Sequence, residues 1–126
     1  MDEPERQTRL ALAEAIRESA DHSSEQALRD SLSRSYYSVF HVGCALLGKG
    51  FGDHKQFLQA LKQRVGDELG AKVEYLQSLR IRADYEFDAV GRVYRNVDEF
   101  RRKALEGLRL GQEVYMELLG LVIWDF

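Results

Sequence analysis

Apolar residues recur at spacings of three and four along nearly the whole chain, and Pro4 is its single proline. That combination constrains the fold more than any other feature. Proline is the strongest helix breaker, and a repeat of apolar positions at the helical period lets a long helix bury one face. No stretch alternates as a half-buried strand does, so the sequence predicts an all-α fold.

The first helix is expected from about Glu5 to Ala20, with Leu12, Ala15, Ile16 and Ser19 on its inner face and Glu14, Arg17 and Glu18 turned away. Ser23 followed by Gln26 is a capping-box signature that opens a long second helix to about Leu47. On it Leu28, Leu32, Tyr36, Val39, Gly43 and Leu46 form a stripe that Tyr37, Phe40, Cys44 and Leu47 widen, as a central helix requires. Gly48, Gly50 and Gly52 break the pattern. Asp53 with Gln56 caps a short helix carrying Phe57, Leu58, Leu61 and Val65, and Gly66 with Gly70 bounds the next turn. A fourth helix is expected from about Ala71 to Phe87 through Val73, Leu76, Leu79 and Ala83. Asn96 with Glu99 opens the last, whose Phe100, Ala104, Leu108, Gly111, Tyr115, Leu118 and Val122 keep helical spacing almost to Phe126. Four long amphipathic helices and one short one suit an antiparallel up-and-down four-helix bundle with an extra short helix, forming a single domain over residues 1–126.

Composition narrows the function. A hydrophobic fraction of 44% and a charged fraction of 31% belong to a globular chain, not a disordered one. The net charge of -3 supplies no global field for nucleic acid, so any RNA contact must be local. Cys44, the only cysteine, reads as a buried apolar residue in a reducing compartment. Asp2, Glu3 and Glu5 stand where a secretory leader would be basic, so a cytoplasmic protein is expected. The most apolar stretch, Leu118 to Trp124, is far shorter than the ~20 residues of a membrane span. Its apolar groups surround the helix, so the uncovered side calls for a partner, and a homodimer is expected. Three histidines and one cysteine, none at zinc-ligand spacing, give no metal site, and no cofactor is expected.

Two constellations carry chemistry. In Ser33-Arg34-Ser35-Tyr36-Tyr37-Ser38-Val39-Phe40-His41, basic, hydroxyl and imidazole groups interleave with aromatics. Arg34, Ser38 and His41 share a face, with the end residues ~10 Å apart along the axis, so they can grip one ligand from two points. The alternative is a satisfied histidine at the bundle edge with a snorkelling arginine, and on the residues alone that reading is the stronger. In Arg80-Ile81-Arg82-Ala83-Asp84-Tyr85, Arg80 and Asp84 stand one turn apart at the margin of the apolar stripe. A guanidinium held there by a carboxylate is preorganised for phosphate, while a structural ion pair is the equal alternative. Arg82 points away. His54, beside Asp53, is a weaker phosphate-binding candidate, and Arg92, Arg95, Arg101, Arg102 and Lys103 form a basic stretch whose default is a solvated face.

Together these segments resemble one branch of the HEPN family (higher eukaryotes and prokaryotes nucleotide-binding). Its pattern is S-R-x-Y-Y-x-x-F-H-x-x-x-x-L-L, then a His-Lys turn, then R-x-x-A-D-Y; here stand Ser33, Arg34, Tyr36, Tyr37, Phe40, His41, Leu46 and Leu47, then His54 and Lys55, then Arg80, Ala83, Asp84 and Tyr85. Three segments in the expected order cover most of the chain.

The resemblance implies a four-helix up-and-down core, a homodimer, and association with a minimal nucleotidyltransferase in a toxin–antitoxin-like pair. It implies a nucleotide- or RNA-binding site drawn from Arg34, Tyr37, His41, His54, Arg80, Asp84 and Tyr85. Many HEPN proteins are metal-independent ribonucleases whose arginine and histidine have four to six residues between them on a late helix. This chain has Asp84-Tyr85 there and no histidine, and Arg34 with His41 fits the spacing only on the early helix. A binding module is therefore the leading expectation, a ribonuclease using Arg34 and His41 the second, and a structural interaction protein the third.

Overall fold

The computed structural model describes residues 3–18, 25–86 and 97–124, and the side chains of 3–16, 27–82 and 99–124. Among them every element is helical: α1 (Glu3–Glu18), α2 (Glu25–Leu47), α3 (His54–Val65), α4 (Asp67–Glu86) and α5 (Val97–Trp124). Ser23 and Asn96, the expected caps of α2 and α5, lie outside the described residues.

The central role read for α2 holds. It packs against α1, α3, α4 and α5, and α4 packs in addition against α3 and α5. Leu28, Leu32, Tyr36, Val39, Val42, Cys44, Ala45 and Leu46 are all buried, which requires neighbours on several sides of one helix. From α5 come Phe100, Ala104, Val114, Tyr115, Leu118 and Val122, and from α4 Val73, Leu76 and Leu79.

Glycines set how closely α2 and α5 approach. A Cβ at Gly107 would collide with Leu32 and one at Gly111 with Ser35, so the α5 backbone lies directly on α2 side chains. The pairing of Gly107 with Leu32 and Gly111 with Ser35 also fixes direction. Both positions advance together, so α2 and α5 run parallel. Gly107 meets Leu79 and Gly111 meets Leu76 on the other side, so α4 runs opposite to both.

One boundary differs from expectation. Gly70 lies inside α4, which begins at Asp67, and Gly66 alone joins α3 to α4. The reason is local: Gly66 takes φ 95° and ψ 169°, a conformation open to glycine, and its N–H closes α3 on the Lys62 carbonyl. Asp67 and Glu68 then suit the positive end of the new helix. Gly70 is tolerated because the Lys62 side chain lies across its bare backbone. Replacing Gly66 by alanine is expected to cost about 1–3 kcal/mol, read from the urea unfolding midpoint, and an unchanged midpoint would mean that the backbone there is relaxed.

The inner face of α1 also differs. Leu12 is 44% exposed and Ala15 is exposed, whereas Ala13 is fully buried, with Arg9, Leu10 and Ile16 half-buried on the same side. The helix is rotated so that arginine stems, not Leu12, cover the core edge, an arrangement long amphipathic side chains permit.

Candidate functional site

The three segments singled out in the sequence meet where the middle of α2 faces the start of α3 and the end of α4. Asp53 caps α3 by accepting the Lys55 N–H at 2.8 Å, and this places His54 at the first helical position. Phe57, one turn on, is fully buried and anchors the helix against Phe40 and Phe51, at ring-centroid distances of 4.8 and 5.9 Å. His54 is thereby pressed among Tyr36, Tyr37 and Phe40, with centroids 5.3, 6.1 and 5.2 Å away.

Within that aromatic nest Tyr36 Oη lies 2.7 Å from His54 Nδ1. Burial pushes the Tyr36 phenol well above its usual range, so it stays protonated. Burial, and then the charge of Arg80, lower the His54 pKa, with Asp53 opposing weakly. When the phenol donates to Nδ1, the neutral imidazole presents Nε2–H as its free donor.

Arg80 completes the cluster. Its Nη2 donates to Tyr37 Oη at 2.6 Å, and its guanidinium carbon stands 4.9 Å from the Tyr37 ring centre and 5.8 Å from that of Tyr36. The tyrosine faces hold the cation in a fixed plane at a half-buried position. Such a fork is shaped for two oxygens of a phosphate. Asp84 and Tyr85 fall within the span of α4, but their side chains are outside the described residues, so the expected Arg80–Asp84 pair is too. Arg82 is exposed, as its position on the far side of α4 requires.

Arg34 and His41 differ in exposure. Arg34 is exposed, Ser38 is buried and donates to the Ser35 carbonyl at 2.8 Å, and His41 is half-buried. The charge that reaches His41 is that of Arg9 on α1; together with burial, the larger cause, it lowers the imidazole pKa. Sequence reasoning missed Arg9. A signal was present, since Arg6, Arg9, Leu10 and Ala13 follow helical spacing and place two arginines on the inner stripe. Arg101 and Arg102 are exposed on α5, where with Leu105, Glu106 and Arg109 they line a shallow surface groove.

Among the described residues no three histidine, cysteine or acidic side chains group as metal ligands, and no helix is long and apolar enough to cross a membrane. Cys44 is a free, buried thiol that burial raises to about 11.

The two depressed histidines fix a pH response. Unfolded, both titrate near pH 6.5, while in the fold both resist protonation. Their contribution to stability is present above about pH 6.5 and is lost as pH falls through the lower folded values. Urea unfolding at falling pH is expected to show declining stability, with a shallower decline in His54→Gln and His41→Gln; identical slopes in all three proteins would sink this assignment.

No protein-family model matches the chain, no curated protein matches it, and no solved structure matches its fold.

Proposed function

We propose that this chain is a HEPN-like helical module that binds the phosphate of a nucleotide or RNA at Tyr36, Tyr37, His54 and Arg80. One observation carries the reading. The tyrosine pair, the His-Lys turn and the R-x-x-A-D-Y segment are far apart in sequence, yet Tyr36 bonds His54 and Tyr37 bonds Arg80 at hydrogen-bond distance. A cation braced by two phenol rings beside an imidazole N–H is suited to a phosphoryl group and a base or ribose next to it. The up-and-down bundle of α1, α2, α4 and α5, with α3 as the extra short helix, belongs to the same reading, and the alternating directions of α2, α4 and α5 agree with it.

The partners belong to it too: a second copy of the chain and a minimal nucleotidyltransferase, in a toxin–antitoxin-like pair working in the cytoplasm. Support for a second copy comes from α5, whose Leu105, Met116, Leu121, Ile123 and Trp124 are exposed, Trp124 by 88%. Sedimentation at micromolar concentration is expected to give twice 14.5 kDa. A monomer would leave that face to a different protein.

Equilibrium titration with a nucleoside triphosphate tests the site. Binding is expected, weakened about tenfold or more in Arg80→Gln, the loss of one charge-assisted hydrogen-bond donor set. Arg82→Gln, altering an exposed side chain, is expected to bind as the parent does. Absence of binding, or equal binding by Arg80→Gln, overturns the reading.

A second reading has its own support: burial, and then the charge of Arg9, lower the His41 pKa and so favour the neutral imidazole that a general base near pH 7 must be. In a metal-independent ribonuclease it would take the ribose 2′-hydroxyl proton, with arginine stabilising the phosphorane-like transition state. Arg34, named from spacing, is the exposed residue of that pair. Metal-free RNA cleavage abolished by His41→Ala would establish this reading; no cleavage removes it.

A further inference from the structure

The solvent face of α5 carries features that packing within one chain does not use. On its first half Arg101, Arg102, Leu105, Glu106 and Arg109 line a groove of about 540 Å³. Further along the same face Met116 is 56% exposed and Ile123 58%. Glu106 is engaged within the chain, since it accepts from the Tyr75 hydroxyl at 2.8 Å and lies 3.6 Å from Lys103 Nζ. Arg102 and Arg109 have no carboxylate partner among the described residues. On the second half Lys72 of α4 meets Glu113 at 2.8 Å and Glu117 at 3.6 Å, so one ammonium serves two exposed carboxylates and a negative charge is left over. The face is therefore basic and grooved at one end, and acidic and apolar at the other.

These features are disposed about the middle of the helix. α5 runs Val97–Trp124, so its midpoint falls between Leu110 and Gly111. Leu105 and Met116 stand equally far from that point, as do Arg109 and Gln112, and spacings of four, three and four keep all of them on one stripe opposite the buried Ala104, Val114 and Leu118. A second α5 laid antiparallel on the first, about a two-fold axis at the midpoint, overlaps it along all 28 residues, a length of about 42 Å. Leu105 in its groove then faces the partner's Met116, and Arg109 faces the partner's Gln112. Because a two-fold axis brings like flanks of the stripe together, Arg109 also comes nearly level with the partner's Glu113, and Arg102 with the partner's Glu117. Every contact occurs twice, as an isologous interface requires. An RNA backbone along this face would pass from the arginines onto the two carboxylates and would leave the apolar side chains unused. We propose that α5 is a homodimer interface in which two copies pair antiparallel about the midpoint between Leu110 and Gly111, with apolar burial supplying affinity and the charge pairs supplying direction. The proposal rests on the second-copy reading above and deepens it by assigning the surface and the orientation of the pair.

Disulfide trapping reads the register. Cys44 is buried and stays out of the reaction, with the parent protein as its control. Under mild oxidant a mixture of Leu105→Cys and Met116→Cys is expected to give a covalent dimer of twice 14.5 kDa. Neither variant is expected to do so alone, because identical positions then lie about 16 Å apart along the paired axes, beyond the reach of a disulfide. Sedimentation of Arg109→Glu, with the fold checked by circular dichroism, is expected to show self-association weakened about tenfold or more, because each copy then presents a carboxylate to the partner's Glu113. Efficient trapping of either cysteine variant with itself overturns the antiparallel register. A dimeric parent in which neither the mixture nor the single variants trap, or whose association Arg109→Glu leaves unchanged, overturns the α5 interface and leaves the second-copy reading standing, whereas a monomeric parent overturns both. Loss of oligonucleotide binding in Arg109→Glu with association unchanged would assign the groove to RNA instead.

Discussion

Phe57→Ala is expected to destabilise the chain by about 3–5 kcal/mol, as truncation of a fully buried phenylalanine does where the surroundings cannot collapse into the space. Collapse is blocked here for a specific reason. The ring lies on the bare backbone of α2: a Cβ at Gly43 would stand 2.7 Å from Phe57 Cζ, so no side chain is available there to fill the void. On its other sides are Phe40 and Phe51, whose edge-to-face contacts are lost as well. Because Phe57 fixes the start of α3, the substitution is expected to loosen His54 from Tyr36 also. Urea unfolding measures the first effect and the His54 ring signals the second. The complementary change, Gly43→Ala, gains about 1 kcal/mol of helix propensity but drives a methyl into the ring, and overpacking at about 1–3 kcal/mol is expected to win. A loss under about 1 kcal/mol in Phe57→Ala, or a gain in Gly43→Ala, would show that α3 does not depend on this contact.

Gly107→Val and Gly111→Val make up the second large effect. Each puts branched bulk where α5 already touches α2, at Leu32 for the first and at Ser35 for the second, and each is expected to cost about 1–3 kcal/mol by forcing the helices apart. The two sites are one turn apart on the same interface. Once the first substitution has opened the spacing, the second meets less resistance, so the double variant is expected to lose less than the sum of the single losses. Gly120→Val is the control: a Cβ there meets nothing within 4 Å, and stability is expected to stay within about 1 kcal/mol of the parent. Full additivity, or a Gly120 effect as large as the others, would mean that close approach is not what these glycines provide.

The sequence disclosed what periodicity can carry. The broad stripe of α2 and the Phe100-to-Val122 repeat of α5 are buried nearly residue for residue, because burial on a long helix follows spacing. The first helix, α1, was harder. Rotating it so that Ala13 is inside and Leu12 outside changes one apolar residue for another, and the inward arginines look like surface residues until their stems are seen to cover the core edge. Gly70 was misread as a boundary because a helix interior accepts glycine when a neighbour occupies the space of its side chain. The cluster itself was only half legible. Tyr37, His54 and Arg80 were each singled out, but Arg80 was paired with Asp84 one turn away, whereas the bond on view is with Tyr37, 43 positions back. Contacts of that range depend on the rotation and height of two separate helices, which spacing within one helix does not encode. The Tyr36–His54 bond was invisible for the same reason.

Cys44 has a use apart from packing. It is the only thiol in the chain, has no exposed surface, and is held protonated near neutrality by a pKa of about 11, so a thiol reagent cannot reach or activate it in the closed fold. Labelling therefore has to wait for the helices around it to part, and its rate records how often they do. Because α1 packs against α2, the helix that carries Cys44, undocking of α1 is a natural route of access. The chain thus contains a built-in stopwatch for the breathing of its first helix.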